Sequence, residues 1–331
     1  MFYNYSMKVF FLGATGLIGN HTVRELLNNG YEVRALIRRK SRIDLLQDLN
    51  LEFFEGDIRD RETLIEGMKG CDIAVHSAGY YPRYSIKEDV EIEKALKEIR
   101  NVMDSCLISG IKKILYVSSI GTIWKDRNGI GREDIPFDYR KVKGLYHRIK
   151  FLMEEEVKKY SEKGLEVFIV NPTLCVGEFE TKPIQFCLIP RVIKVLPFYT
   201  DGKMNAVDVK DVARGIILVL EKGKALERYI LGGENLTIKE FLRKIAKIAK
   251  APPPLIKIPL LLAFSGAYLS EYLSYYILKK NPSIPLSGIQ MAKYSFFVTT
   301  EKAERELGYK PSPIENAIER AIEWFKKIGY I

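Results

Sequence analysis

The stretch MKVFFLGATGLIGNHTVRELLNNGYEVRALIRRK, residues 7–40, changes its periodicity twice. Val9 to Leu12 is a continuous apolar run, Leu17, Ile18, Val23, Leu26 and Leu27 recur at helical spacing, and Val33 to Ile37 is apolar again after Gly30. That order is strand, helix, strand, with a glycine-rich turn at the carboxyl end of the first strand. Gly13 lets the chain leave the strand sharply, Gly16 lets backbone N–H groups approach a pyrophosphate at the helix N-terminus, and Gly19 lets helix and sheet pack closely. Thr15, Leu17 and Ile18 share that turn and join the glycines as candidate dinucleotide contacts. At the end of the second strand stand Arg38, Arg39 and Lys40, where an acid would favour plain ribose hydroxyls and a cation favours a 2′-phosphate.

Outward from this unit, the 331-residue chain is 47% apolar, enough for a core of one large domain or two lobes. No uncharged apolar span of about 20 residues is present, and the N-terminus lacks the order of a signal peptide, so the expected compartment is the cytoplasm. Cys71, Cys106, Cys175 and Cys187 show no C-x-x-C spacing, and His21, His76 and His147 form no zinc motif; reduced thiols and no metal are expected. The net charge of +10 is spread along the chain without a nucleic-acid motif, which suits an anionic small molecule and gives no reason to expect a nucleic-acid partner.

GATGLIG, with its G-x-x-G-x-x-G spacing, resembles the fingerprint of the extended and atypical short-chain dehydrogenases/reductases. The resemblance continues through EGDIRD at 55–60, whose Asp57 and Ile58 it places at the adenine, and HSAG at 76–79, whose Ala78 and Gly79 it places beside the ribose and nicotinamide. Asp57 also reads as a helix N-cap or a loop acid. In the helix that follows, ALKEIRN at 95–101 keeps only the last asparagine of the family pattern, so Asn101 is expected to hold helix to sheet rather than a catalytic water. NPTLCVGEFETKP, 171–183, is similar to the segment opening the substrate lobe and adds Pro172 to the cofactor set; MNAVDVKDVARG, 204–215, resembles the return to the cofactor lobe, with Asp211 read as an N-cap. LGGENLT and the tail FFVTTEKAERELGYKPSPIENAIERAIEWFKKIGY resemble the hopanoid-associated sugar epimerase group, close to the dihydroflavonol 4-reductases.

The resemblance gives meaning to a spacing that alone has little. Y-x-x-x-K occurs five times, and at i, i+4 in a helix it presents a phenol and an ammonium on one face. Only Tyr139/Lys143 and Tyr146/Lys150 lie between KKILYVSSIGTIW (112–124) and EVFIV (166–170). YHRIKFLMEEEV, 146–157, resembles the family's Y-x-x-S-K-x-x-x-E helix, with Glu154 in register and Ile149 in place of serine. Tyr146, Lys150 and Ser119 are therefore the candidate catalytic residues, Tyr139 being the alternative base and Thr122 the reserve hydroxyl. Moving a hydride at a C–O carbon requires a proton at the oxygen. Free tyrosine titrates near 10, too high for a base at neutral pH, and a nearby ammonium favours phenolate. Ser119 would hold the substrate oxygen, and Lys150 would also reach the nicotinamide ribose.

The expected architecture is α/β: a Rossmann-type, doubly wound parallel sheet with a smaller C-terminal substrate lobe. Residues 1–170 with about 206–236 would form the NAD(P)-binding domain, and about 171–205 with 237–331 the substrate lobe. NADP(H) is the favoured cofactor, with NAD(H) open if the cations are plain surface. The expected activity is hydride transfer at a secondary alcohol or ketone of a sugar, nucleotide sugar or polycyclic ring. A sugar epimerase leads, a ketone reductase is the alternative, and a non-catalytic cofactor-binding regulator is the third. The family's habit implies a homodimer. IPLLLAFSGAYLSEYLSYYIL, 258–278, reads as a helix packed in the substrate lobe or as a surface peripheral to a membrane.

Overall fold

Lys8–Leu12 (β1) and Glu32–Ile37 (β2) pair in parallel, Lys8 opposite Glu32 through Leu12 opposite Leu36, and Leu17–Asn28 (α1) joins them. This is the β-α-β unit that the glycine-rich stretch implies. The computed structural model describes residues 6–39, 41–82, 84–142, 144–180 and 188–331, so Lys40, Lys143 and Cys187 lie outside the described residues.

Glu52–Glu55 (β3), Arg61–Met68 (α2), Ile73–His76 (β4), Glu88–Ser109 (α3) and Lys113–Val117 (β5) continue the alternation. Trp124–Lys125 (β6) and Ile130–Arg132 (β7) precede Leu145–Lys158 (α4) and Glu166–Pro172 (β8). Then come Leu174–Val176 (β9), Leu188–Ile193 (α5), Phe198–Tyr199 (β10), Lys203–Asp208 (β11), Val209–Lys222 (α6) and Arg228–Leu231 (β12). The chain closes with Glu234–Thr237 (β13), Ile238–Ala249 (α7), Ile256–Lys257 (β14), Leu260–Leu273 (α8), Leu286–Lys293 (α9), Phe297–Val298 (β15), Glu301–Leu307 (α10) and Ile314–Lys327 (α11).

Seven strands form one parallel sheet in the order β3-β2-β1-β4-β5-β8-β12. The order reverses between β1 and β4, and open sheets of this kind bind ligands at the carboxyl ends of the strands around such a point. The central strands β1, β4, β5 and β8 are largely apolar because helices cover both faces. Val9, Phe11, Val75 and Leu115 face α1 and α6, while Phe10, Leu12, Ala74 and Ile114 face α2, α3 and α4. Each fully buried side chain of this size stabilises the fold by about 1.5–3 kcal/mol.

After β8 the chain builds a second cluster. β11 pairs in parallel with β9 and antiparallel with β13, and Phe241, Leu242, Ile245, Ile318 and Phe325 of α7 and α11 pack behind them. Thr237 caps α7 in a reciprocal box with Glu240. Asp211 is not an N-cap. Asp208 caps α6, accepting from the Lys210 amide at 2.9 Å, whereas Asp211 is buried, accepts from the Ser312 amide and hydroxyl at 2.6 and 3.1 Å, and pairs with Arg214. Of two acids three residues apart the helix starts at the first, which leaves the second to anchor the chain between α10 and α11.

Candidate active site

Three glycines shape the turn between β1 and α1. Gly13 has φ +97°, and a Cβ there would stand 2.7 Å from the Ala78 amide nitrogen. A Cβ on Gly19 would collide with the Gly13 carbonyl oxygen. Helix α1 begins at Gly16 with no side-chain cap and no acid in its first turn, so its amides and dipole are left for an anion. Gly13, Thr15, Gly16, Leu17, Ile18 and Gly19 line a cleft of about 960 Å³.

Arg38 and Asp57 stand together on that cleft, and Ile58, Ala78, Gly79 and Pro172 also line it. Asp57 does not cap α2, because Asp60 does so through the Glu62 and Thr63 amides. Instead Asp57 accepts from the Arg59 amide at 2.9 Å and pairs with its guanidinium at 2.7 Å. Arg59, with Arg38 adding to the field, holds the Asp57 carboxyl at about 2. Asn101 donates to the Ile58 and Arg59 carbonyls at 3.4 and 3.1 Å, so it ties α3 to this loop rather than to the sheet.

The carboxyl end of β5 and the start of α4 bring the candidate catalytic groups together. Ser119 Oγ lies 3.0 Å from the Tyr146 hydroxyl and accepts from the Gly121 amide at 3.0 Å. Burial raises the Tyr146 phenol above its usual value, against lowering by Ser119 and Tyr81. The sequence reading has the Lys150 charge lower it. Lys150 Nζ lies 5.8 Å from the Tyr146 ring centroid, and a Cβ on Gly79 would stand 2.9 Å from that nitrogen. Lys150 is 2% exposed, and burial lowers its ammonium to about 8.

One contact here escapes a reading by spacing. Tyr81 stacks on Tyr146 with centroids 5.6 Å apart and planes 23° apart, and its ring centroid lies 5.0 Å from Lys150 Nζ. Behind Ser119, Glu154 Oε2 accepts from the Ser118 hydroxyl at 2.5 Å, the Thr122 hydroxyl at 2.7 Å and the Asn171 amide at 3.1 Å. Asn171 and Thr122 also donate to the Ser119 carbonyl oxygen, at 3.1 and 3.0 Å. Thr122, the reserve hydroxyl, is therefore engaged in holding Ser119. The signal for Glu154 is in the sequence: Tyr146, Lys150 and Glu154 follow at i, i+4, i+8, which puts a carboxylate on the buried face of α4.

Beyond Ser119 and Tyr146 the cleft is lined by Trp124, Phe137, Met204, Met291, Tyr294 and Phe296. Tyr294 meets His147 at 6.0 Å, and Trp124 meets Phe137 and Phe296 at 5.9 and 6.1 Å, all edge to face. Tyr139 stacks instead on Phe151 at 5.4 Å and is not among the cleft residues. Among the described residues no cluster of three or more His, Cys, Asp or Glu could hold a metal, and no helix is long and apolar enough to cross a membrane.

A model of the NAD dependent epimerase/dehydratase family matches residues 9–232. The chain is 31% identical to a putative dihydroflavonol 4-reductase of Synechocystis sp., over 97% of this chain and 95% of that one. It is 28% identical to sterol demethylase protein B of Methylococcus capsulatus, over 98% and 100%. Among solved structures, a nucleoside-diphosphate-sugar epimerase from Pseudomonas aeruginosa is similar with a TM-score of 0.83 and 27% identity, over 98% of this chain and 99% of that one.

Proposed function

The chain belongs to the NAD dependent epimerase/dehydratase family of extended short-chain dehydrogenases/reductases, and we propose that within it the enzyme is an NADPH-dependent reductase of an apolar cyclic ketone, reversible as a dehydrogenase of the alcohol. The family is one of NAD(P)-dependent oxidoreductases and epimerases, so the coarse activity follows from membership. The finer reading rests on one observation: the Trp124, Phe137, Tyr294 and Phe296 rings that line the cleft past Ser119 and Tyr146. A pocket of that composition favours a ring system over a sugar's hydroxyls, each of which would need a polar partner when buried. Relatives similar over nearly the whole chain are named for flavonoid and sterol chemistry, which supports the same class.

The residues present fit the dinucleotide. A Cβ at Gly13 or Gly19 would fill the close approach of turn and helix, and the uncapped start of α1 suits a pyrophosphate. Arg38 supports the phosphorylated cofactor, because a guanidinium binds a 2′-phosphate through charge-assisted hydrogen bonds. Held at Gly13, Gly16, Gly19 and Arg38, NADPH would supply the hydride for the carbonyl carbon. Tyr146 gives its phenolic proton to the carbonyl oxygen, and Ser119 donates a hydrogen bond to that oxygen while charge develops there. Lys150 places a positive charge beside the phenol and favours the phenolate left behind. Glu154, Thr122 and Asn171 keep the Ser119 backbone in place.

The test is turnover of the purified enzyme with NADPH or NADH against two panels, apolar cyclic ketones and nucleotide sugars. Stoichiometric NADPH consumption with a ring ketone, slower with NADH, is the expected result. Interconversion of sugar epimers without net consumption of cofactor would replace this reading with the epimerase one.

A further inference from the structure

Helix α8 and the wider helical turn Ser274–Leu278 that prolongs it are unlike the other long helices of this protein. Only Ala267 and Glu271 of α8 are buried. Leu261, Leu262, Tyr268, Leu269, Tyr276 and Ile277 are each more than half exposed. In α11 the apolar residues make one buried stripe, whereas in α8 they run around the whole helix. An apolar surface of that extent marks an interaction site.

The charge around it says what kind. The chain holds 42 acidic residues in 331, yet from Ala251 to Thr300 there is one, Glu271. That carboxylate is buried and engaged by the Ser85 and Leu286 amides. The cations of the same stretch, Lys257, Lys279, Lys280 and Lys293, are all exposed. Lys257 pairs with Asp201 at 2.7 Å, which leaves the charge of the patch to Lys279, Lys280 and Lys293. Leucine and isoleucine to insert, tyrosines whose hydroxyls suit the headgroup level, lysines for anionic headgroups and no exposed acid make the composition of an interfacial segment. A second copy of this chain fits less well, because the patch would set lysines against lysines. A folded partner would have to match an apolar surface that has no single face, while a fluid hydrocarbon needs no shape match.

We infer that α8 and Ser274–Leu278 lie in the interface of a lipid bilayer rich in anionic headgroups, with Leu261, Leu262 and Ile277 embedded and Lys279 and Lys280 against phosphates. The segment borders the substrate end of the cleft: Lys293 of α9 sits 5.4 Å from the Phe264 ring centroid of α8, and the α9 residues Met291 and Ala292 line the cleft. An apolar substrate would thus reach the cleft from the bilayer, a corollary that rests on the function proposed above. The docking itself does not.

The experiment is flotation of the full-length protein with vesicles of phosphatidylcholine alone and of phosphatidylcholine with phosphatidylglycerol, at low and high salt. Flotation with the anionic vesicles, weakened by salt, is expected. Replacing Lys279 and Lys280 by Gln should lower binding about fivefold per lysine. Leu261→Glu with Ile277→Glu should abolish flotation while NADPH binding is retained, which shows that the variant is folded. A wild-type protein that stays unbound with anionic vesicles overturns the inference. So does a dimer on size-exclusion chromatography that the double Glu variant disperses, since the patch would then be covered by a second copy. Flotation measures binding rather than turnover, so its failure leaves the reductase reading standing and loss of activity leaves the docking reading standing.

Discussion

The two ends of the cleft are built from different materials. The proposed cofactor end is mostly main chain, with the Arg38 side chain added: a glycine turn, the start of α1 and the loops after β3 and β4, all within the first 80 residues. The substrate end is side chain: Trp124, Phe137, Met204, Met291, Tyr294 and Phe296 arrive from segments up to about 170 residues apart. Main-chain contacts tolerate few changes because a Cβ has nowhere to go, whereas an aromatic wall can be re-cut one ring at a time. Specificity for the cofactor is therefore expected to be rigid and specificity for the substrate plastic.

Tyr146 stands where the two ends meet, and its loss should cost most. Tyr146→Phe keeps the ring and removes the proton, so kcat is expected to fall about 10²- to 10⁴-fold with NADPH binding unchanged. Rapid-quench or steady-state assay beside a cofactor titration checks it; an unchanged rate would remove Tyr146 from the chemistry.

Acid should act on both ends at once. His21, His76 and His147 are all the histidines of the chain, and burial lowers each to about 4. Unfolded, each titrates near 6.5, so the unfolded state binds more protons as pH falls below that value. Stability is thus complete above about 6.5 and is lost as pH falls toward 4, by up to about 1.4 kcal/mol per pH unit for each imidazole. Thermal unfolding measured from pH 7.5 to 5 should show a falling midpoint, and a flat profile would contradict the buried neutral state.

The rigid end is tested by Gly19→Ala, which adds one methyl against the Gly13 carbonyl. Overpacking of about 1–3 kcal/mol would weaken NADPH about 5- to 150-fold by fluorescence titration. Arg38→Ser is milder and selective: NADPH affinity should drop about 10- to 100-fold for one lost charged hydrogen-bond donor, and NADH affinity should hold. Equal losses for both cofactors would place Arg38 away from a 2′-phosphate. At the plastic end Phe296→Ala removes one edge-to-face ring, and KM for a ring ketone should rise only about 3- to 10-fold with kcat little changed. A loss comparable with that of Gly19→Ala would erase the contrast between the two ends.

The same contrast explains what could be read from the sequence. The glycine turn, the alternation of strand and helix, and the pairing of Ser119 with Tyr146 rest on local spacing and on where a strand ends, both carried by residues close in the chain. The resemblance to a family extended that reading as far as the fold. Tyr81 on Tyr146 was out of reach, because stacking depends on how a loop 65 residues away folds back. Asp211 was misread as a cap, and Asp57 proved to be the loop acid of its two readings, for a common reason. Each has a second acid three residues away, Asp60 and Asp208, and composition does not tell which one the first helical turn selects.

Lys150 carries a consequence of another kind. An ammonium lowered to about 8 is partly neutral in mildly alkaline solution, before any ligand arrives. An anionic dinucleotide settling nearby favours the charged form, so binding is expected to draw protons from the medium near pH 8. Calorimetric heats of NADPH binding would then differ between buffers of different ionisation enthalpy, and affinity would weaken as pH rises past 8. The buried lysine makes the resting enzyme a weak buffer whose set point the cofactor moves.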